Sequence, residues 1–449
     1  MPTTTSKEER TSPTDGADYK ETNRPCKQKI QISVKVETSS KQLYKQAPGS
    51  NKCSFIVYLC LYSSHPGPLK MQQDGSTPPD KKRLISLDAL RGLDMFYFQG
   101  GKLLFSAVFI LTGWPAWNDV NLQTIHAPWH GFTLNDLVFP LFIFLSGVAI
   151  GISLKRIEKL TLSERLPFYK KATKRLFLLC LLGIIFNHGR GQGIPPSLEE
   201  IRYASVLGRI GIVGFLATML AWHTSIRTQG ITAVIILIGY WFWLCYIPVP
   251  NASEGPLTPD GCWNAWIDQN FLPGVTFMNQ PYDPEGLLSN IPAVVNATLG
   301  IITGHFIKTS RESSDWKLVS VLLAAGTISI ILGWIWNPLF PVNKNLWTSS
   351  YVLVTAGWSS VLLAFFYILF DIFKWRKLAY PLIIFGTNSI LIYVSASLFD
   401  WNYMTTNLFG GIINALPDNW QPLALIIALL TMKMFFLNWL YRRKIFVRL

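Results

Sequence analysis

Long apolar stretches alternate with short polar segments over most of this chain. Ten of them approach the roughly 20 residues that a helix needs to cross the hydrocarbon core of a bilayer. Their ranges are 89–112, 134–154, 172–188, 206–223, 230–248, 287–307, 316–336, 347–371, 378–399 and 418–440. The pattern predicts an all-α integral membrane protein built as a bundle of about ten transmembrane helices. A hydrophobic content of 50% agrees with that class.

The net charge of +14 raises the alternative of nucleic-acid binding. The positions of the positive residues argue against it. One set of alternate connections holds 23 Lys and Arg, and the opposite set holds Arg190, Arg202 and Lys344. Because positive residues concentrate on the cytoplasmic side of membrane proteins, this distribution predicts that both ends of the bundle are cytoplasmic. The eight basic residues of 155–175 could also pair with phosphates.

The N-terminal residues differ from the rest. Residues 1–50 are polar and rich in Ser, Thr and Lys, which predicts disorder, and the apolar run 53–62 is too short to span a bilayer. We interpret 1–80 as a disordered or spurious extension, with Met71 as the natural start. Residues 81–449 form the predicted membrane domain.

The segment from His126 to Gly147 places polar side chains at the mouth of an apolar run. Ionisable groups are costly in hydrocarbon and are functional candidates there, and histidine suits proton transfer near neutral pH. His126 could be a general base or an interfacial polar residue. Asp136 could orient an imidazole or stabilise a helix N-terminus. His126, His130 and Asp136 could together ligate zinc, but no HExxH or CxxC spacing supports it, and no metal is predicted.

From Arg83 onward the chain resembles the heparan-α-glucosaminide N-acetyltransferase family, including its bacterial relatives. The match rests on ordered blocks: RLISLDALRG at 83–92, HAPWHGFTLNDLVFP at 126–140, IRYASVLGR at 201–209, DPEGLL at 283–288, PVNKNLW at 341–347 and NSILIYV at 388–394. The resemblance implies acetyl transfer from cytoplasmic acetyl-CoA to the amino group of a terminal glucosamine across the membrane. It also implies that His126 is the catalytic histidine, either as a base or as the acceptor of the acetyl group in an acetyl-histidine intermediate, and it raises a homodimer. The membrane would be a plasma or inner membrane in bacteria and a lysosomal-type membrane in eukaryotes.

One segment departs from the family pattern. Better-known members carry an Asn in a Gly-rich segment late in the first span, whereas residues 97–102 read YFQGGK. Gln99 is the expected substitute, since its amide also offers donors and an acceptor. We therefore predict His126, Asp136 and Gln99 as catalytic residues.

Further polar residues are predicted to contact the two substrates. The donor would meet Lys102, Asn187, Arg202 and Arg209, and the acceptor would meet Trp129, His130, Asp283 and Glu285. For the groups at membrane depth, interhelical hydrogen bonding or snorkelling is the alternative. Lys433 is expected to snorkel near a cytoplasmic helix end.

The predicted function is a transmembrane N-acetyltransferase with an amino-sugar acceptor. Two alternatives stay open: a membrane O-acyltransferase of a cell-surface glycan, and a sugar or amine transporter, because spans with buried polar groups also fit transport.

Overall fold

The computed structural model describes residues 84–154, 157, 160–189, 191, 193–251, 254–310 and 314–447. The chain divides into Met1–Asp80 and Lys81–Leu449. The first unit lies outside the described residues, and so do the interpretations of 1–80 and of Met71 as the natural start. Lys155, Arg156 and Lys159 of the basic connection also lie outside them.

Within its described residues, the second unit is built from helices and has no β-strand. Fifteen α-helices follow one another: α1 (Ile85–Phe96), α2 (Leu103–Thr112), α3 (Pro115–Leu122), α4 (Leu134–Ser153), α5 (Leu162–Asn187), α6 (Val206–His223), α7 (Ile226–Tyr246), α8 (Trp263–Phe271), α9 (Asn290–Ser310), α10 (Asp315–Trp336), α11 (Ser349–Tyr367), α12 (Arg376–Thr387), α13 (Ser389–Leu398), α14 (Trp401–Asn414) and α15 (Gln421–Arg442).

Among the described residues, seven helices are long and apolar enough to cross a membrane. They are α4, α6, α7, α9, α10, α11 with the π-helical turn that follows it, and α15. Two bent pairs, α1 with α2 and α12 with α13, raise the number to as many as nine if each pair is one span. The prediction of an all-helical, multi-pass membrane protein is confirmed at this level, whereas the count of ten is not confirmed. The remaining predicted segment, 172–188, lies mostly on the C-terminal part of α5, a helix that carries five Lys and Arg between residues 165 and 175.

The two bent spans break at polar or glycine-containing turns. The 52° bend between α1 and α2 contains a π-helical turn, Tyr97–Gly101, in which Gly100 adopts a φ of 133° that favours glycine. The 59° bend between α12 and α13 lies at Asn388. Its side-chain amide donates to the carbonyl oxygen of Ile445 and accepts from the N–H of Val447. This bend is therefore held by the C-terminal segment.

Helices α4 and α9 pack through small residues on both sides. A methyl group added at Gly147 or at Gly300 would lie 2.2 Å from a backbone carbonyl oxygen of the other helix. Gly151 and Gly304 make the same close approach one turn away. Small residues spaced by four let helix backbones approach closely in membranes. This contact fixes α4, which carries Asp136 near its first turn.

Candidate active site

A cavity of about 580 Å³, called here the main chamber, opens beside the first turn of α4. Aromatic and aliphatic side chains form most of its wall, and a few polar groups converge on it, as in many ligand sites. Helices α1, α4 and α6, the end of α5, the start of α13, the bend between α1 and α2 and four connections supply the wall. Its charged, amide and histidine side chains are those of Asp94, Lys102, His126, Asn135, Asn187, Arg202, Gln280, Glu285, Lys344 and Asn345.

His126 and Asp136 form a hydrogen-bonded pair at this chamber. The chain from His126 to Gly131 is not helical, and the Nδ1 atom of His126 lies 2.6 Å from Oδ1 of Asp136. The other carboxylate oxygen, Oδ2, accepts from the N–H and the hydroxyl of Thr133, which closes a capping box at the start of α4. Asp136 thus contacts the imidazole with one oxygen and caps the helix with the other, so both roles considered for it have a geometric basis.

The contacts of His126 define its tautomer. A carboxylate only accepts hydrogen bonds, so Nδ1 carries the proton and Nε2 keeps a lone pair. Two donors lie at that lone pair: Nδ2 of Asn135 at 2.9 Å and Nζ of Lys344 at 3.0 Å. Nζ of Lys344 is also 3.2 Å from Nδ1. The His126 side chain is 50% exposed and Asp136 is buried, so part of the ring is accessible while its carboxylate partner is shielded from water.

Lys344 and Asn135 are site residues that the sequence did not single out. Lys344 counted there only as one of three positive residues on the predicted outer side, although it lies in the block 341–347. Burial lowers the pKa of Lys344, while the nearby carboxylates of Glu285 and Asp136 oppose that shift. Asn135 directly precedes Asp136, and its proximity to the ring follows from the capped first turn of α4.

Arg202 forms hydrogen bonds with three of the other predicted site residues. Its Nε and Nη2 atoms donate to the two carboxylate oxygens of Asp283, each at 2.8 Å, and Nη2 also donates to Glu285 at 2.7 Å. Asn187 donates to the carbonyl oxygen of Arg202. Burial alone would lower the pKa of Arg202, but the two carboxylates outweigh it and raise that pKa. Asp283 is fully buried by these contacts, whereas Asn187, Arg202 and Glu285 line the main chamber.

The remaining predicted binding residues divide between the chamber wall and the core. Lys102 and Trp129 line the chamber, and the indole N–H of Trp129 donates to the carbonyl oxygen of Leu257 at 2.7 Å. Arg209 is buried behind the wall, with its guanidinium 4.7 Å from the ring centre of Trp347.

His130 points away from His126. Its Nδ1 atom is 3.3 Å from Nδ2 of Asn343, and it is not among the described residues that line the main chamber. Burial lowers the pKa of His130. Within the described ranges, no group of three His, Cys, Asp or Glu side chains is arranged to hold a metal ion.

Gln99 lies at another contact. Nζ of Lys433 donates to the backbone oxygen of Gln99 at 2.8 Å and to its side-chain oxygen at 3.1 Å. Gln99 is absent from the described wall of the main chamber, so its catalytic role stays a prediction without a contact to His126. The expectation that Lys433 snorkels to a helix end was wrong. Lys433 is buried, because the bent turn around Gly100 offers it two oxygen acceptors inside the bundle.

A multi-pass helical protein with a histidine–carboxylate pair in the wall of an internal chamber defines a class of candidate membrane enzymes. A family model described as a domain of unknown function, DUF5009, matches residues 83–254. The heparan-alpha-glucosaminide N-acetyltransferase of Homo sapiens is 28% identical over 380 residues, which cover 74% of this chain and 56% of that protein. The protein of the same name from Mus musculus is 28% identical over 330 residues, which cover 62% of this chain and 49% of that protein.

The chain thus spans about half the length of the curated relatives it matches. It is related at the family level to the heparan-α-glucosaminide N-acetyltransferases, as the ordered sequence blocks predicted.

Proposed function

We propose that this protein is a transmembrane N-acetyltransferase that moves an acetyl group from cytoplasmic acetyl-CoA to the amino group of a glucosamine-type sugar on the opposite face. The proposal includes ten spans, with α5 supplying the tenth and both ends in the cytoplasm. The observation that carries it is the His126–Asp136 pair with Lys344 at the wall of the main chamber. The names of the relatives support the choice of substrates.

The reaction requires a base for the acceptor nitrogen and a donor for the thioester oxygen. The sugar reacts as the free amine, after its ammonium form has released one proton to water. As the nitrogen attacks the thioester carbonyl carbon, the C–N bond forms and a proton passes to Nε2 of His126. The C–S bond then breaks, and His126 returns that proton to the leaving thiolate. The products are an acetamide and free CoA, and His126 is again neutral.

Lys344 has a role in this scheme that depends on its position. Its ammonium group covers Nε2 of His126, so it must move aside when the acceptor amine takes that place. A shift of a few ångströms brings the same cation to the thioester oxygen, where negative charge develops as the amine attacks. Donors that meet charge only in the transition state lower the barrier directly. Asp136 keeps the imidazole in its productive tautomer.

The acceptor end of the chamber suits an amino sugar. Trp129 and Tyr282 line it and pack edge to face with ring centres 5.1 Å apart. Glu285 lies in the same wall. Aromatic faces favour sugar rings and cations, and a carboxylate attracts the ammonium form of the acceptor as it arrives.

The decisive experiment measures acetyl-CoA-dependent acetylation of glucosamine by the purified full-length protein in lipid nanodiscs. His126→Ala should abolish turnover while leaving the melting temperature unchanged, because the side chain is half exposed. His223→Ala is the matched control, since that histidine pairs with Tyr169 away from the chamber. Full activity in the His126 variant would end the proposal.

A hydroxyl acceptor is the second candidate, because a histidine–carboxylate pair activates hydroxyl groups as well as amines. Acceptor profiling separates the two. Turnover with glucosamine but not with N-acetylglucosamine supports N-acetylation, and equal turnover of both supports O-acetylation.

A further inference from the structure

A second cavity of about 450 Å³ shares part of its wall with the main chamber. The shared residues are Phe142 on α4 and Ser389 and Ile390 at the start of α13. The second cavity is polar, with Asp88, Arg91, Ser146, Ser153 and Arg175 in its wall. Under the proposed topology it faces the cytoplasmic side, whereas His126 faces the opposite side. The two cavities therefore lie in series along the path that an acetyl donor has to take.

Asp94 lies in the main chamber at the level of this shared wall. The Nη2 atom of Arg91 donates to the carbonyl oxygen of Leu145, so α1 lies beside α4, and under the proposed topology the two helices run in opposite directions. Three residues further along α1, Asp94 comes level with Phe142. From Asp136 to Phe142 the helix descends six residues, or about 9 Å. Asp94 is therefore set back from His126 toward the second cavity.

The carboxylate of Asp94 has an unmet capacity for hydrogen bonds. Asp94 is 3% exposed, and within the described ranges neither of its oxygens has a hydrogen-bond partner. Three other buried carboxylates differ, since both oxygens of each accept hydrogen bonds: Asp136, Asp268 and Asp283. A buried polar group without a partner is costly. At a cavity wall, that cost is relieved when a ligand supplies the donor.

We propose that Asp94 accepts hydrogen bonds from the amide N–H groups of the pantetheine arm of acetyl-CoA and so positions the thioester at His126. This inference rests on the proposed function. The thioester sulfur must lie near His126. The distance from that sulfur to the amides of the arm is similar to the separation of Asp94 from His126. A hydrogen bond from an amide N–H satisfies a buried carboxyl oxygen without placing a further charge at that depth. The amino sugar enters at the opposite end, beside Trp129.

The test compares donors that carry or lack the amides. Acetyl-CoA and S-acetylpantetheine contain them, whereas S-acetyl-2-mercaptoethanol is an acetyl thioester without any amide. Asp94→Ala should raise KM for the first two donors by about 10- to 100-fold, the size expected when buried hydrogen bonds are lost. Its kcat/KM for the amide-free donor should stay within about twofold of wild type. Asp94→Asn, which keeps one accepting oxygen, should fall between.

A matched control lies on the same helix. Ser86 is buried and its hydroxyl also has no partner in the described part of the chain, but it lines neither cavity. Ser86→Ala should leave KM unchanged for all three donors. If Asp94→Ala unfolds, Asp94→Asn decides, because it preserves the shape of the side chain.

Two results would overturn the inference. An equal loss with all three donors would assign Asp94 to the fold or the chemical step, and a change in KM for glucosamine alone would make it part of the acceptor site. Failure of the proposed function looks different, because the wild-type protein would then show no acetyl-CoA-dependent turnover.

Discussion

Two polar clusters line the main chamber, and they differ in how their hydrogen bonds are assigned. Around Arg202, each carboxylate oxygen of Asp283 has a guanidinium donor of its own and a backbone N–H besides. Around His126, the donors of Asn135 and Lys344 compete for one lone pair. The first cluster is saturated and the second has more donors than acceptors.

This difference indicates which of the two clusters can rearrange its hydrogen bonds. A saturated, buried ion cluster holds the segment 277–285 against the segment 187–202, and moving any part of it leaves a charge unpaired. A cluster with surplus donors can exchange partners at little cost, which a site must do when a substrate arrives. We therefore expect the Arg202 cluster to support the fold and the proposed chemistry to belong to the His126 cluster.

Among the residues that contact His126, Asp136→Asn is expected to have the largest effect on activity. The amide can still accept from Thr133, so α4 stays capped, but it also can present N–H to the imidazole and so favour the wrong tautomer. We expect kcat to fall by about 10²- to 10⁴-fold with a melting temperature close to wild type. Asp371→Asn is the control, because Asp371 accepts backbone N–H groups at the start of α1 away from the chamber. Equal losses in both variants would contradict a chemical role for Asp136.

The largest effect on folding is expected for Arg202→Met. It leaves Asp283 buried without its guanidinium partner, at a cost of about 3–5 kcal/mol in the free energy of unfolding. Thermal unfolding in nanodiscs measures the loss. The double variant Arg202→Met/Asp283→Asn should regain part of the stability, because the unpaired charge is gone. If Arg202→Met instead kept wild-type stability and lost turnover, Arg202 would be assigned to the catalytic step.

An intermediate effect is expected for Lys344. Lys344→Met should lower kcat by about 10²-fold, as removal of one oxyanion donor does elsewhere. Because burial lowers the pKa of Lys344, its cationic form is lost at a lower pH than for a free lysine. Activity should therefore fall on the alkaline side, and Lys344→Arg should move that limb to higher pH. An unchanged pH–rate profile in the Arg variant would remove Lys344 from the catalytic step.

The smallest effect is expected for Asn135→Ala. Lys344 still reaches Nε2 of His126, so the ring keeps a donor. We expect a loss in kcat/KM of no more than about tenfold, the size of one neutral hydrogen bond. A loss as large as that of the Asp136 variant would show that Asn135 orients the ring on its own.

The sequence predicted those parts of the site that are local in the chain. His126 and Asp136 are ten residues apart, and their contact follows from a turn and a capped helix start. Lys344 lies 218 residues from His126, and Lys433 lies 334 residues from Gln99. Hydrophobic periodicity carries no information on such pairings. Hydrophobic periodicity also did not locate the start of α5, because its charged N-terminal part and its apolar C-terminal part form one continuous helix.

The glycine contact between α4 and α9 has a consequence for motion. Rotation or sliding of either helix would drive a glycine of one helix into a carbonyl oxygen of the other. We therefore expect the two helices to move as one rigid unit, called here the stator. The spans that are interrupted by a bend are α1–α2, which bends near Gly100, and α12–α13, which bends at Asn388. Asp94 and Ile390 belong to these bent spans, and Phe142 belongs to the stator. We therefore expect any opening between the two cavities to involve the bent spans, while Asp136 stays in place on α4.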